Sequence, residues 1–176
     1  MARGRPVASP AQLIDALDRF FAADGVLEAD STLAGGYGAW AELPALVTEN
    51  LEWRRSIPES EPAALPAFWS KSDVEERLFP ASGDSPRVVS LNTHADETRM
   101  LPGIEGAEDG RFADTALLNA GDYANREALA ESLVFMIGCH AGGNLPTSYY
   151  GDVTDWADVF GSSAGFVGNT GFGLAN

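Results

Sequence analysis

Cysteine and histidine are scarce: one and two, respectively, in 176 residues. A single thiol excludes an internal disulfide and any metal cage built only from thiolates. No stretch approaches the roughly 18 consecutive apolar residues of a membrane span. The opening MARGRPVASPAQ carries two arginines with no apolar run behind them, so it lacks a signal-peptide pattern. Positive charge is also in short supply, with 11 Lys plus Arg against 26 Asp plus Glu and a net charge of −15. Such a field repels phosphate backbones, which sets nucleic acid aside as a partner, and nothing points to a membrane. The chain reads as soluble, and as cytoplasmic if the sequence is whole.

What is present suits one globular domain over residues 1–176, since 45% of the residues are hydrophobic. Ser9, Pro10 and Gln12 form a helix start, and Leu13, Ile14, Leu17, Phe20 and Phe21 recur at helical spacing until Gly25. STLAG at 31–35 predicts a strand running into the turn GGYG, and a second helix is expected from Ala39 with Pro44 in its first turn. Pro58 to Pro66 has loop composition. Ser72 with Glu75 predicts a capping box for a helix through Leu78. RVVSL (87–91) and LVFMI (133–137) are β-rich apolar runs, and AGFVG (164–168) is a last short strand. An acidic, glycine-containing loop is expected from His94 to about Gly110, with helices over Asn125–Ser132 and Thr154–Phe160. Strands alternating with helices predict an α/β sandwich with a mainly parallel sheet, whose carboxyl edge is where such folds bind ligands.

Two residues with chemistry fall at that edge. His94 lies three residues past RVVSL and Cys139 two past LVFMI. On parallel strands both emerge at one rim. A cysteine becomes a nucleophile when an imidazole takes its proton or stabilises its thiolate. The small residues after Cys139 (AGG) leave backbone N–H groups able to face a developing oxyanion. That is the layout of a cysteine hydrolase. His140 adjoins the thiol, but successive residues of an extended segment point to opposite faces, which gives His140 a supporting role. Asp152 and Asp155 have two readings: lining a pocket that selects a basic substrate residue by charge, or, favoured for Asp155, capping the helix that follows. A buried core cysteine is the plain alternative for Cys139, as polar surface is for His94.

The segments SLNTHADETRMLPG, VFMIGCHAGGNLP and TDWADVFGSSAGFVGNTGFG occur in the order seen in gingipain-type cysteine peptidases of the caspase-like clan. GRPVASPAQLIDALDRF and GGYGAW extend the resemblance over nearly the whole chain. The resemblance implies a caspase-like three-layer α/β/α sandwich and peptide-bond hydrolysis through a thioester. It implies Cys139 as nucleophile, His94 as general acid/base, and the Cys139 backbone amide in the oxyanion hole, with a protein or peptide as substrate. The second oxyanion donor of the clan often belongs to a glycine, where this chain has Ala95, which keeps the N–H but restricts the backbone. The family also extends beyond both ends of this sequence, so the chain reads as a partial domain with further domains of a longer parent as partners.

Three rivals remain. The first is an inactive caspase-like interaction or structural domain. The second is a thiol amidotransferase on a flavodoxin-like sheet, disfavoured because that chemistry places its cysteine in a tight strand-to-helix elbow. The third is a metal site from His94, Asp96 and His140, whose spacing has no reinforcing pattern. No cofactor is expected; calcium suits the clustered carboxylates of the acidic loops, but no EF-hand spacing is present.

Overall fold

A computed structural model describes residues 10–26, 31–37, 40–55, 63–66, 68–81, 85–103, 117–124, 129, 131–143, 145, 153–161 and 163–171. Ser9, Asp152, residues 104–110 of the acidic loop and 111–116 after it, residues 125–128 and 130 of the expected helix, and 172–176 lie outside them.

The described chain is α/β. Strand β1 (Thr32–Gly36) is central to a first pair with β2 (Ala63–Ala64), and β3 (Val88–Asn92), β6 (Leu133–Met136) and β7 (Gly165–Gly168) extend the sheet on the other side. The order is β2-β1-β3-β6-β7, and every pairing is parallel. A second pair, β4 (Arg99–Met100) with β5 (Leu118–Asn119), is antiparallel, and its Met100 and Leu118 are buried in the core. Helix α1 spans Pro10–Ala22, α2 Leu43–Arg55, α3 Lys71–Leu78 and α4 Trp156–Phe160, with a 3-10 turn at Ala120–Tyr123.

The interior strands form because β-branched and long apolar side chains fill both pleat faces: all five residues of β3 are buried. Val89, Leu91, Val134 and Met136 join Leu33 on the face that packs against Trp69, Val74, Leu78, Tyr123, Trp156 and Phe160. Aromatic rings stack in series there, Phe79 on Tyr123 at 5.2 Å, Tyr123 on Trp156 at 6.1 Å and Trp156 on Phe160 at 5.8 Å. Offset ring stacking adds about 1 kcal/mol per pair beyond the area buried. Helix α2 packs along β1 and β3.

The parallel sheet and the main strands stand where the sequence placed them. Several local expectations need correction. The α3 cap is Ser70, not Ser72: Ser70 Oγ accepts from the Asp73 N–H, and Asp73 accepts in return from the Ser70 N–H at 2.7 Å. Asp73 completes the box in place of a glutamate, so the true pair lies two residues before the expected one (72 − 70). The 58–66 loop contains β2, and the acidic segment contains β4 and a bridge between Ala95 and Met100. These strands are two residues long, too short to carry alternation. In the expected 125–132 helix, Leu129 and Glu131 lie in turns, and Ser132 donates from N to the Leu129 carbonyl and from Oγ to the Pro86 carbonyl. A tight turn into β6 replaces the last helical turn.

Helix α1 forms as its periodicity requires, and Gly25, at φ +73°, closes it by donating to the Phe20 carbonyl. Its apolar face is not covered by the described chain: Ile14, Leu17, Phe20 and Phe21 are all exposed, Phe21 to 67%. No helix among the described residues is long and apolar enough to cross a membrane.

Candidate active site

The sheet sets the height of the two reactive residues. Thr32, Val88, Leu133 and Gly165 are register partners on a single rung across four strands. His94 is six residues beyond that rung on β3 and Cys139 six beyond it on β6 (94 − 88 and 139 − 133). Strands β3 and β6 are neighbours, and both residues lie in the segments that leave the carboxyl ends of those strands, His94 two past Asn92 and Cys139 three past Met136 (94 − 92 and 139 − 136). Cys139 is half-buried and His94 is exposed, so the thiol is not a sealed core group.

The two loops touch through their backbones. A Cβ placed on Gly138 would lie 2.5 Å from the Ala95 Cβ and 2.9 Å from the Thr93 carbonyl oxygen, so glycine before the cysteine lets the loops close. Ala95 occupies a bridge with Met100 in which Leu101 N–H donates to the His94 carbonyl and Asp96 N–H to the Arg99 carbonyl. In that pattern the bridged residue keeps its own N–H turned away from the partner strand. Gly138 borders that side, where its Cβ would approach the Ala95 nitrogen to 3.2 Å.

The turn after Cys139 is bound to the end of the chain. His140 N–H donates to the Gly171 carbonyl and Gly142 N–H to the Asn169 carbonyl, both at 2.7 Å. A Cβ on Gly142 would overlap the Gly168 carbonyl, and one on Gly168 would lie 2.8 Å from the Gly142 Cα. The GCHAGG and VGNTG segments are thus backbone against backbone. His140 stands at φ +57°, within a turn rather than an extended segment, so strand alternation does not set its direction. Its Nδ1 is 3.9 Å from Glu97 Oε1, which places His140 between the two loops.

Asp155 does not line a substrate pocket. It is fully buried, and its carboxylate accepts from Leu145 N–H at 2.7 Å and from Asp158 N–H at 2.8 Å, while Asp158 accepts from the Asp155 N–H. It caps α4 and ties down the loop after Cys139. Burial raises its pKa above the ordinary value, outweighing these backbone donors, and the Asp158 charge adds to the rise. Asp152 lies outside the described residues.

Asp96 is engaged within its own loop. It receives the Thr98 and Arg99 N–H groups and the Arg99 guanidinium. Burial pushes its pKa up, but these donors together hold it below the usual carboxylate value. It therefore contributes stability above pH 3.8 that is lost as pH falls through its lowered folded value. With Asp96 committed to Arg99, the His94–Asp96–His140 metal site is not formed. Among the described residues no group of three or more His, Cys, Asp or Glu side chains is arranged to hold a metal ion. Residues 139–142 directly after β6 form turns rather than the first turn of a helix, so the cysteine is not in a strand-to-helix elbow.

Two rim residues escaped the sequence reading. Tyr37 and Trp40, from the turn after β1, stand against the His94 ring. GGYGAW marked a turn, but nothing in it told that the turn would close over a histidine 54 residues away (94 − 40).

No protein-family model, curated protein or solved structure matches the chain. Functional assignment rests on the residues and their placement.

Proposed function

We propose that the chain is a cysteine endopeptidase domain of the gingipain type on a caspase-like three-layer fold. The observation that carries this reading is that His94 and Cys139 follow the carboxyl ends of adjacent parallel strands, in loops that meet at Ala95 and Gly138, with His94 exposed and Cys139 half-buried. Counting the parallel strands alone, the winding is 2-1-3-4-5, an open sheet that takes ligands at its carboxyl rim, an order shared with flavodoxin-like sheets; the turn after Cys139 is what sets the amidotransferase reading aside.

In this mechanism the Cys139 thiolate attacks the scissile carbonyl carbon, and the carbonyl π electrons move to oxygen. The oxyanion is met by the Cys139 and Ala95 N–H groups. The tetrahedral adduct collapses, the C–N bond breaks, and His94 delivers a proton to the departing amine. Water, deprotonated by His94, then cleaves the thioester and returns the cysteine. The substrate is a protein or peptide.

The test is labelling with a peptidyl acyloxymethyl ketone. Covalent adduct is expected on Cys139, with His94→Ala slowing it by about 10²-fold or more, in the range of acid–base contributions. Labelling at the same rate in His94→Ala would remove the dyad. A second reading, a non-enzymatic interaction domain, draws on the uncovered apolar face of α1. It requires that Cys139 remain unlabelled.

A further inference from the structure

Among the described residues no carboxylate or other hydrogen-bonding partner holds the His94 ring. It has aromatic walls instead. The Trp40 ring centroid is 4.7 Å from the imidazole with the planes at 74°, and Tyr37 is 6.1 Å away at 62°. We propose that Trp40, backed by Tyr37, is the positioning residue that fixes the His94 ring at the rim, the task an acidic side chain performs elsewhere. The inference deepens the peptidase reading and rests on it for its catalytic purpose.

The wedge is built to hold its place. Both rings are buried, Trp40 to 6% exposure and Tyr37 to 2%, while the histidine they touch is exposed. Trp40 N–H donates to the Tyr37 carbonyl at 3.0 Å, folding the chain back directly after β1. Gly36 makes the fold possible: a Cβ there would overlap the Trp40 carbonyl and meet Pro44 of α2 at 3.1–3.2 Å. Behind Tyr37 stands Trp69 at 5.8 Å, itself pressed against Gly103, where a Cβ would come 2.6 Å from the indole nitrogen. An exposed histidine on a loop loses side-chain freedom when buried rings pack against it, and a reacting group held in one orientation loses less rate to misalignment. Strand order explains the contact: β1 adjoins β3, so the turn after β1 and the loop after β3 share the rim.

Two readouts separate this inference from the function it serves. Full-length wild type, Trp40→Leu and Trp40→Phe are compared for the NMR shifts of the His94 ring protons and for the rate of ketone labelling at Cys139. Removing the indole is expected to move the His94 ring resonances and to slow labelling by about 10-fold or more. Phenylalanine keeps a ring and is expected to restore most of both. Ring resonances that stay at wild-type positions in a folded Trp40→Leu protein would overturn the wedge. So would labelling unchanged in Trp40→Leu while His94→Ala slows it. Wild type that never labels, with resonances that do move, would overturn the peptidase reading and the catalytic purpose while upholding the contact. Should Trp40→Leu not fold, Tyr37→Leu with the same two readouts decides.

Discussion

Helix α1 and the carboxyl rim of the sheet are opposites. The helix has clear apolar periodicity, yet Ile14, Leu17, Phe20 and Phe21 all face outward from the described chain. The rim has little periodicity and few apolar side chains, yet its loops approach until a single Cβ would collide. Periodicity therefore reports local conformation, and says nothing of what the apolar face will meet. Glycine spacing reports the reverse: at Gly138, Gly142 and Gly168 it marks where distant backbones must touch.

The largest effect is expected where the rim is tightest. Gly142→Ala forces a methyl group into the Gly168 carbonyl, which should cost about 3 kcal/mol, because the obstacle is backbone and cannot rotate aside. Urea denaturation measures it, and a midpoint equal to wild type would mean that the two segments are not in contact.

A smaller effect is expected at the buried cap. Asp155→Ala removes the acceptor of both Asp158 and Leu145 N–H groups and should cost about 2 kcal/mol. Its pH behaviour is distinctive. The folded state holds the Asp155 proton more tightly than the unfolded chain, so its contribution is complete below pH 3.8 and declines as pH rises through the raised folded value. The stability advantage of wild type over Asp155→Asn is therefore expected to shrink between acid and neutral pH. An advantage that grows over that range would reverse the assignment.

The smallest effect belongs to the helix. Phe21→Ser should change stability by no more than about 0.5 kcal/mol, since the ring is 67% exposed. A loss of several times that in thermal unfolding would show the face to be covered, and the contrast would collapse.

Much of the fold was legible because long apolar runs leave few alternatives. RVVSL and LVFMI are too short for helices and too apolar for loops, and each became an interior strand within a residue of its expected bounds. Pro10 and Gly25 bracketed α1 through their fixed or permissive φ angles. Two-residue strands were illegible, since alternation needs more length than β2, β4 or β5 provides. In the site, His94 and Cys139 were readable as strand-end residues of reactive type, and the favoured capping role of Asp155 matches its hydrogen bonds. The premise used for His140 was extended chain, whereas the backbone there turns left-handed. The aromatic wall around His94 was hidden for another reason: contacts between turns on neighbouring strands depend on strand order, which no local pattern encodes.

The shared rung of Thr32, Val88, Leu133 and Gly165 makes the strands a measuring rod for the residues at their tips. Lengthening β3 or β6 by one residue would rotate its tip to the opposite side of the sheet and lift it a step above its neighbour. Mutational drift can therefore remodel what comes after the tips far more freely than the few paired positions that count out the distance to them.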